Sequence, residues 1–354
     1  MPLSTFSSNQ RIRQNFPRPV WLRTWLLVMA LVLVCLGGWE SFWRMHGYIP
    51  TVEDDLGLWA AIRRQANQQE GESVALIGSS RIQLGLNPDV FARTTGVRPL
   101  MLAIDGNSPL PVLQNLAEDP KFSGLVICGL TPQWLAESKT SKRRAAKWIR
   151  KYRRQKWSSR LETQLSAGIQ QLFVFRFPGL SPARVWRRLI NNERLKKVYA
   201  PMRMDRYRSA DYSRTDLSRL KEAREKRSRQ LASTTISLAP EAFKERVEQV
   251  HRWVESIEHR GGQVVFIRMP STGTIREIEE AAWPRHRYWD VFAARIHGLT
   301  IHFEDYAVLS SFPCPDGSHL DADGAILFSE ALVKLFQDKK LLLGYALDSS
   351  DYYM

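Results

Sequence analysis

The sequence predicts an α/β protein built on a mostly parallel, doubly wound sheet, with one apolar helix ahead of it. Three observations carry this. Short apolar runs that end in Gly- or Ser-containing turns alternate with helical stretches, which is the pattern of βαβ units. A charge-free run from Thr24 to Trp39, with its aromatic flanks, reaches the roughly 20 residues needed to cross a bilayer. The composition is that of a folded chain, with 354 residues, 44% hydrophobic and 25% charged.

Residues 1–20 read as a short cytoplasmic tail and residues 21–43 as a transmembrane anchor. Trp21 and Trp25 mark one edge of the anchor, Trp39 and Trp43 the other, where indole rings prefer to sit. Arg11, Arg13, Arg18 and Arg23 precede the apolar run, whereas Glu40, Glu53, Asp54 and Asp55 dominate the segment on its C-terminal side. The positive-inside rule then leaves the N-terminus in the cytoplasm and the main domain outside, periplasmic in a Gram-negative cell. The rival reading is a cleaved signal peptide; no A-x-A site is present, and Val34 ahead of Cys35 makes a poor lipoprotein site.

Residues 44–70 read as a juxtamembrane linker with an amphipathic helix over Leu56 to Gln68, and residues 71–345 as the α/β domain, with a tail at 346–354. Strands are expected at Val74–Ile77, Pro99–Ile104, Leu125–Cys128, Gln263–Ile267 and Thr300–Phe303. Helices are expected at Pro88–Arg93, Pro109–Ala117, Pro240–His259, Thr274–Ala282, Tyr288–Arg295 and Asp323–Phe336. Residues 138–235, rich in Arg, Lys, Trp and Tyr, read as a helical insertion.

The formal charge of +15 favours polyanions: acidic lipid headgroups, acidic polysaccharide or nucleic acid. Outside a membrane, nucleic acid drops out, and the basic run 142–157 reads either as a headgroup or polysaccharide contact or as a solvated helix face. Three cysteines are too few for a disulfide scaffold, though a Cys128–Cys314 bridge is an option in an oxidising compartment. No P-loop, dinucleotide fingerprint or H-E-x-x-H occurs, and His286, His297 and His302 lack metal-ligand spacing, so neither metal nor cofactor is expected.

Two segments carry candidate chemistry. The first strand runs into Gly78-Ser79-Ser80-Arg81, which places a serine where a nucleophile can be exposed beside main-chain N–H groups. The segment Asp316-Gly317-Ser318-His319, just before the last helix, supplies a general base and the carboxylate that orients it. In a doubly wound sheet both fall on the rim at the carboxyl ends of the strands. Asp321 or Asp323 could equally cap the last helix.

That joint arrangement resembles the SGNH (GDSL-like) hydrolase superfamily over residues 70–135 and 240–340, and its Gly-Ser-Ser variant resembles the membrane-anchored members that O-acetylate alginate or D-alanylate teichoic acids. The resemblance implies a flavodoxin-like sheet, Ser80 as nucleophile, His319 and Asp316 as its partners, and the N–H groups of Ser80 and Gly106 as oxyanion donors. It implies a serine esterase or O-acyltransferase for envelope or exported polysaccharide, working beside inner-membrane lipid and polysaccharide synthesis or export proteins. One family feature is missing. The third block usually offers an Asn, and here the chain reads Gly129-Leu130-Thr131-Pro132-Gln133, so Thr131 or Gln133 would have to serve. Arg81 and Arg268 are candidates for binding an anionic substrate group or for replacing that donor, with a structural salt bridge as the other reading. The missing Asn also keeps open an inactive SGNH-like scaffold or polysaccharide-binding module.

Overall fold

The computed structural model describes residues 18–68, 73–137, 142–193, 195 and 197–341. The expected tails at 1–20 and 346–354 lie almost wholly or wholly outside those residues. The chain divides into two compact units, Met1–Tyr48 and Ile49–Met354.

Among its described residues, the first unit contains one helix, α1 (Arg18–Met45). Its 26-residue stretch Val20–Met45 has a mean hydropathy of 2.1 in an 18-residue window and is long and apolar enough to cross a membrane.

The second unit opens with α2 (Leu56–Gln65), β1 (Val74–Ile77), α3 (Ser80–Gly85), α4 (Pro88–Thr95) and β2 (Leu100–Met101). It continues through α5 (Leu110–Ala117), β3 (Leu125–Gly129), α6 (Pro132–Ala136), α7 (Lys142–Arg154), α8 (Trp157–Leu172), α9 (Pro182–Ile190) and α10 (Leu217–Thr234). The last part is α11 (Pro240–Glu258), β4 (Gln263–Arg268), α12 (Gly273–Ala282), α13 (Arg285–Ala293), β5 (Leu299–His302), α14 (Ala307–Ser310) and α15 (Ala322–Asp338).

The five strands form one all-parallel sheet in the order β2-β1-β3-β4-β5. Alternate residues of each strand point to opposite faces. Ala75, Ile77, Val126, Cys128, Val264 and Phe266 belong to one apolar cluster, which includes Trp59, Leu113, Val250 and Phe292 from the helices. Val74, Leu76, Leu125, Ile127, Val265 and Ile267 belong to the other, with Ile82, Phe91, Phe328 and Leu332. Burial on both faces explains why these strands read as continuous apolar runs rather than as alternating ones.

The amphipathic helix expected over Leu56 to Gln68 is α2, and its Trp59 is buried in the main core. Two expectations change. The second strand is shorter than expected, although Leu102 N and Ile104 N still donate to Leu76 O and Gly78 O at 2.8 and 2.9 Å. Cys128 and Cys314 are both free; they sit in the clusters on opposite faces of the sheet, which rules out a bridge between them.

The basic insertion covers the sheet edge. Arg206, fully buried, donates through its Nη atoms to the carbonyls of Met101 and Ala103 at 2.6 and 2.8 Å and through Nε to Asp54 at 2.8 Å. Its guanidinium lies 5.2 Å from the Trp148 ring centroid. An edge strand's exposed main-chain groups are thereby occupied by the protein itself.

Candidate active site

Ser80 is held where β1 turns into α3, beside the point at which the strand order reverses between β1 and β3. The local sequence explains the placement. The Ile82 side chain packs against Gly78 and Gly129, at the ends of β1 and β3, and a Cβ added at either glycine would collide with it. The two glycines let the first turn of α3 settle onto the strand ends, with Ser80 as its first residue.

The partner loop is fixed just as locally. Asp316 Oδ1 accepts from the main-chain N–H groups of Ser318 and His319 at 2.9 and 2.8 Å, an Asx-type turn. Gly317 lies in the left-handed region at φ 80°, which favours glycine. Thr272 N donates to Gly317 O at 3.0 Å, tying the turn to the loop after β4.

The two segments meet. His319 Nε2 lies 2.8 Å from Ser80 Oγ, and His319 Nδ1 lies 2.9 Å from Asp316 Oδ2. Ser80 is 9% exposed, His319 3% and Asp316 fully buried. With the Nδ1–H donating to the Asp316 carboxylate, Nε2 is left as the acceptor for the serine hydroxyl. Burial pushes the Asp316 carboxyl up, but the bond from His319, its charge, the Ser318 amide and Arg224 outweigh it, and the group is held well below the ordinary carboxylate range. His319 moves the other way. Burial lowers its pKa, the Asp316 bond and charge oppose this, Arg224 and Arg81 add to it, and the net direction is down. A neutral imidazole beside a hydroxyl and an ionised carboxylate can accept a proton at neutral pH.

Ser80 and His319 line a cleft of about 290 Å³, together with Gly106, Thr131, Gln133 and Arg81. Gly106 adopts φ 63°, and a Cβ there would stand 3.4 Å from Arg227 Nη2. Thr131 Oγ1 and Gln133 Nε2 are buried without a hydrogen-bond partner among the described residues. Such groups call for an explanation in a folded protein, and both face the cleft of Ser80.

The two candidate arginines separate. Both bind Glu279, a carboxylate that burial would push up but that Arg81 and Arg268 hold down at about 2. Arg81 still lines the cleft, where its Nε and Nη2 lie 3.3 Å from Ser318 Oγ. Arg268 is enclosed, donating to Met269 O at 2.9 Å and to Glu279 at 2.6 Å, and does not line the cleft. It is the structural ion pair that its sequence position left open.

One side of the cleft was not foreseen. α10 supplies Arg224, Arg227, Ser228 and Leu231. Arg224 Nε lies 3.4 Å from Asp316 Oδ2, and its Nη2 donates to Tyr199 at 3.0 Å. The i, i+3, i+4, i+7 spacing of these four residues is legible in the sequence as one helix face, but nothing local says that this face closes over the serine. A larger basic cavity of about 930 Å³ shares Asp105 with the cleft and is lined by Arg144, Lys147, Arg184 and Arg208.

Compared with known proteins, the chain matches no protein-family model and no curated protein sequence. The chemistry of the site therefore rests on its own geometry.

Proposed function

We propose that the protein is a membrane-anchored serine esterase or O-acyltransferase of the SGNH type, with Ser80 as nucleophile, His319 as general base and Asp316 as its orienting carboxylate. The observation that carries this reading is the pair of short contacts in series, Asp316 to His319 at 2.9 Å and His319 to Ser80 at 2.8 Å, at the wall of a cleft. In this reading His319 Nε2 takes the Ser80 proton as Oγ bonds to an acyl carbonyl carbon. The resulting oxyanion is met by the N–H groups of Ser80 and Gly106, with Thr131 Oγ1 or Gln133 Nε2 in place of the family's Asn. The tetrahedral species collapses, the leaving alcohol departs with the proton from His319, and the acyl group stays on Ser80. Water or a sugar hydroxyl, deprotonated by His319, then takes it.

A polysaccharide of acidic character as substrate is supported by Arg224 and Arg227 in the cleft and by the basic cavity that adjoins it through Asp105. The charge step across α1 supports an extracytoplasmic domain.

The test is the full chain in detergent, treated with a fluorophosphonate probe and with p-nitrophenyl acetate. Labelling should fall on Ser80 and vanish in Ser80→Ala and His319→Ala. Folded protein that takes no label would sink the catalytic reading in favour of an inactive scaffold. Adding oligosaccharide acceptors separates transfer from hydrolysis by the product formed.

A further inference from the structure

Helix α8 is packed with the wrong side out for a soluble protein. Its inward face is small and polar: Ala167 is 4% exposed, Gln170 Oε1 accepts from Glu53 N at 2.7 Å, and Gln171 Oε1 accepts from Met204 N at 3.0 Å. Thr163 also faces inward, lying where a Cβ on Gly57 would be 2.6 Å from its Oγ1. Trp157, Leu161, Leu165, Ile169 and Leu172 are all exposed, Trp157 at 80%. Steps of four, four, four and three put these five on one stripe, and at roughly 100° per residue that stripe is centred opposite the packed face.

The next helix repeats the theme. In α9, Trp186, Leu189 and Ile190 are exposed at 67%, 63% and 68%, while Arg184, Arg187 and Arg188 occupy the other side of the wheel. Soluble proteins scatter exposed apolar side chains singly, and rows of them mark an interaction surface.

The surrounding charge says which surface. Between residues 142 and 190 there are fourteen Lys and Arg against one acidic residue, Glu162. Rows of exposed Trp and Leu on helices set in a segment rich in Arg and Lys are the chemistry of helices that lie in a bilayer interface, where the apolar face enters the headgroup boundary and nearby cations meet anionic lipid. A sugar polymer would engage the arginines but gives no reason for a Leu stripe. In the chain, residues 46–48 connect α1 to the second unit.

We propose that α8 and α9 form a membrane-docking face that lays the α/β unit on an anionic bilayer surface. This face is separate from the Ser80 cleft, and it stands or falls without the catalytic reading.

The experiment uses the full chain, with Cys35→Ser to remove the exposed native thiol. A single cysteine replaces Leu165, Trp186 or, as the comparison site, Leu327, which is exposed on α15. Each is labelled with a nitrobenzoxadiazole fluorophore and reconstituted in phosphatidylcholine vesicles with and without phosphatidylglycerol. With phosphatidylglycerol present, the probes at 165 and 186 should shift to the blue, be quenched by spin-labelled lipid at a depth of about 5–10 Å, and be shielded from aqueous iodide. Lipid quenching should weaken when phosphatidylglycerol is omitted, and the probe at 327 should respond to iodide alone. Iodide quenching at 165 and 186 equal to that at 327 would overturn the proposal. So would shielding from iodide without lipid quenching, because that is the result for a second copy or another protein on the face.

Discussion

Replacing Asp316 with Asn tests the chain of contacts at the site with almost no change in volume. Asp316 accepts three hydrogen bonds, from the amides of Ser318 and His319 and from the Nδ1–H of His319, and is ion-paired with Arg224, whose Nε lies 3.4 Å away. An Asn keeps one acceptor oxygen for the two amides, so the turn survives. It turns an amide NH2 toward His319 Nδ1, which must then accept, and the ring proton moves to Nε2. Nε2 would donate to Ser80 instead of accepting from it. The same tautomer reversal in a Ser-His-Asp triad costs about 10⁴ in rate, and at 1.36 kcal/mol per decade that is about 5.5 kcal/mol of transition-state stabilisation. Arg224 loses its carboxylate, but it lies at the cleft wall and keeps Tyr199 at 3.0 Å, so the fold should hold. The assay is the second-order rate of fluorophosphonate labelling at Ser80, with thermal unfolding measured alongside. A folded Asp316→Asn protein that labels within tenfold of the parent would refute the argument, because Asp316 would then not set the tautomer of His319.

Labelling should also report pH. The His319 pKa is displaced below its ordinary 6.5, so the base stays neutral into mildly acid solution and the rate should decline only below that value; a midpoint above 6.5 would show that the charge of Asp316, not burial, dominates. The same displacement bears on stability. Unfolded His binds protons first, so the His319 contribution is complete above about 6.5 and is lost as the pH falls below it. Glu279→Ala should destabilise by about 3–5 kcal/mol in urea unfolding, because Arg81 and the enclosed Arg268 lose their shared carboxylate; a loss under about 1 kcal/mol would mean the pair is solvated. Gly129→Ala should cost about 1–3 kcal/mol through overpacking against Ile82 and should slow Ser80 labelling too, since α3 must shift to make room. Stability and labelling that both match the parent would show that Ile82 does not seat the helix.

The strands and most of the flanking helices can be read from the chain, because apolar runs bounded by Gly, Pro and Asn report backbone state locally. The second strand reads too long, since Pro99–Ile104 is apolar throughout, whereas only Leu100–Met101 is assigned as strand. The helix over α2 is legible as an amphipathic stretch, but what covers Trp59 is not; its indole donates to Leu102 O at 2.9 Å, a partner 43 residues away.

Ser80, Asp316 and His319 can be singled out because two local rules converge, a serine after the first strand and a D-x-x-H before the last helix. Arg224 cannot, because it reaches Asp316 only through the path of an insertion with no motif of its own. The arginines beside the site are equally silent, since a cation on the sheet rim becomes a cleft residue or a buried ion pair according to where Glu279 of α12 falls.

What the sequence alone determined is the set of properties carried by neighbours in the chain: an apolar helix at the front, a βαβ alternation, and a D-x-x-H segment ahead of the last helix. The tertiary structure decided everything that depends on distant segments meeting. It set Ser80 Oγ 2.8 Å from a histidine 239 residues away, enclosed Arg268 but left Arg81 on the cleft, and turned the Leu face of α8 outward. The physical reason is range. Side-chain periodicity and turn chemistry act over a few residues, whereas a site is made where two glycines and a sheet order let remote strand ends come together.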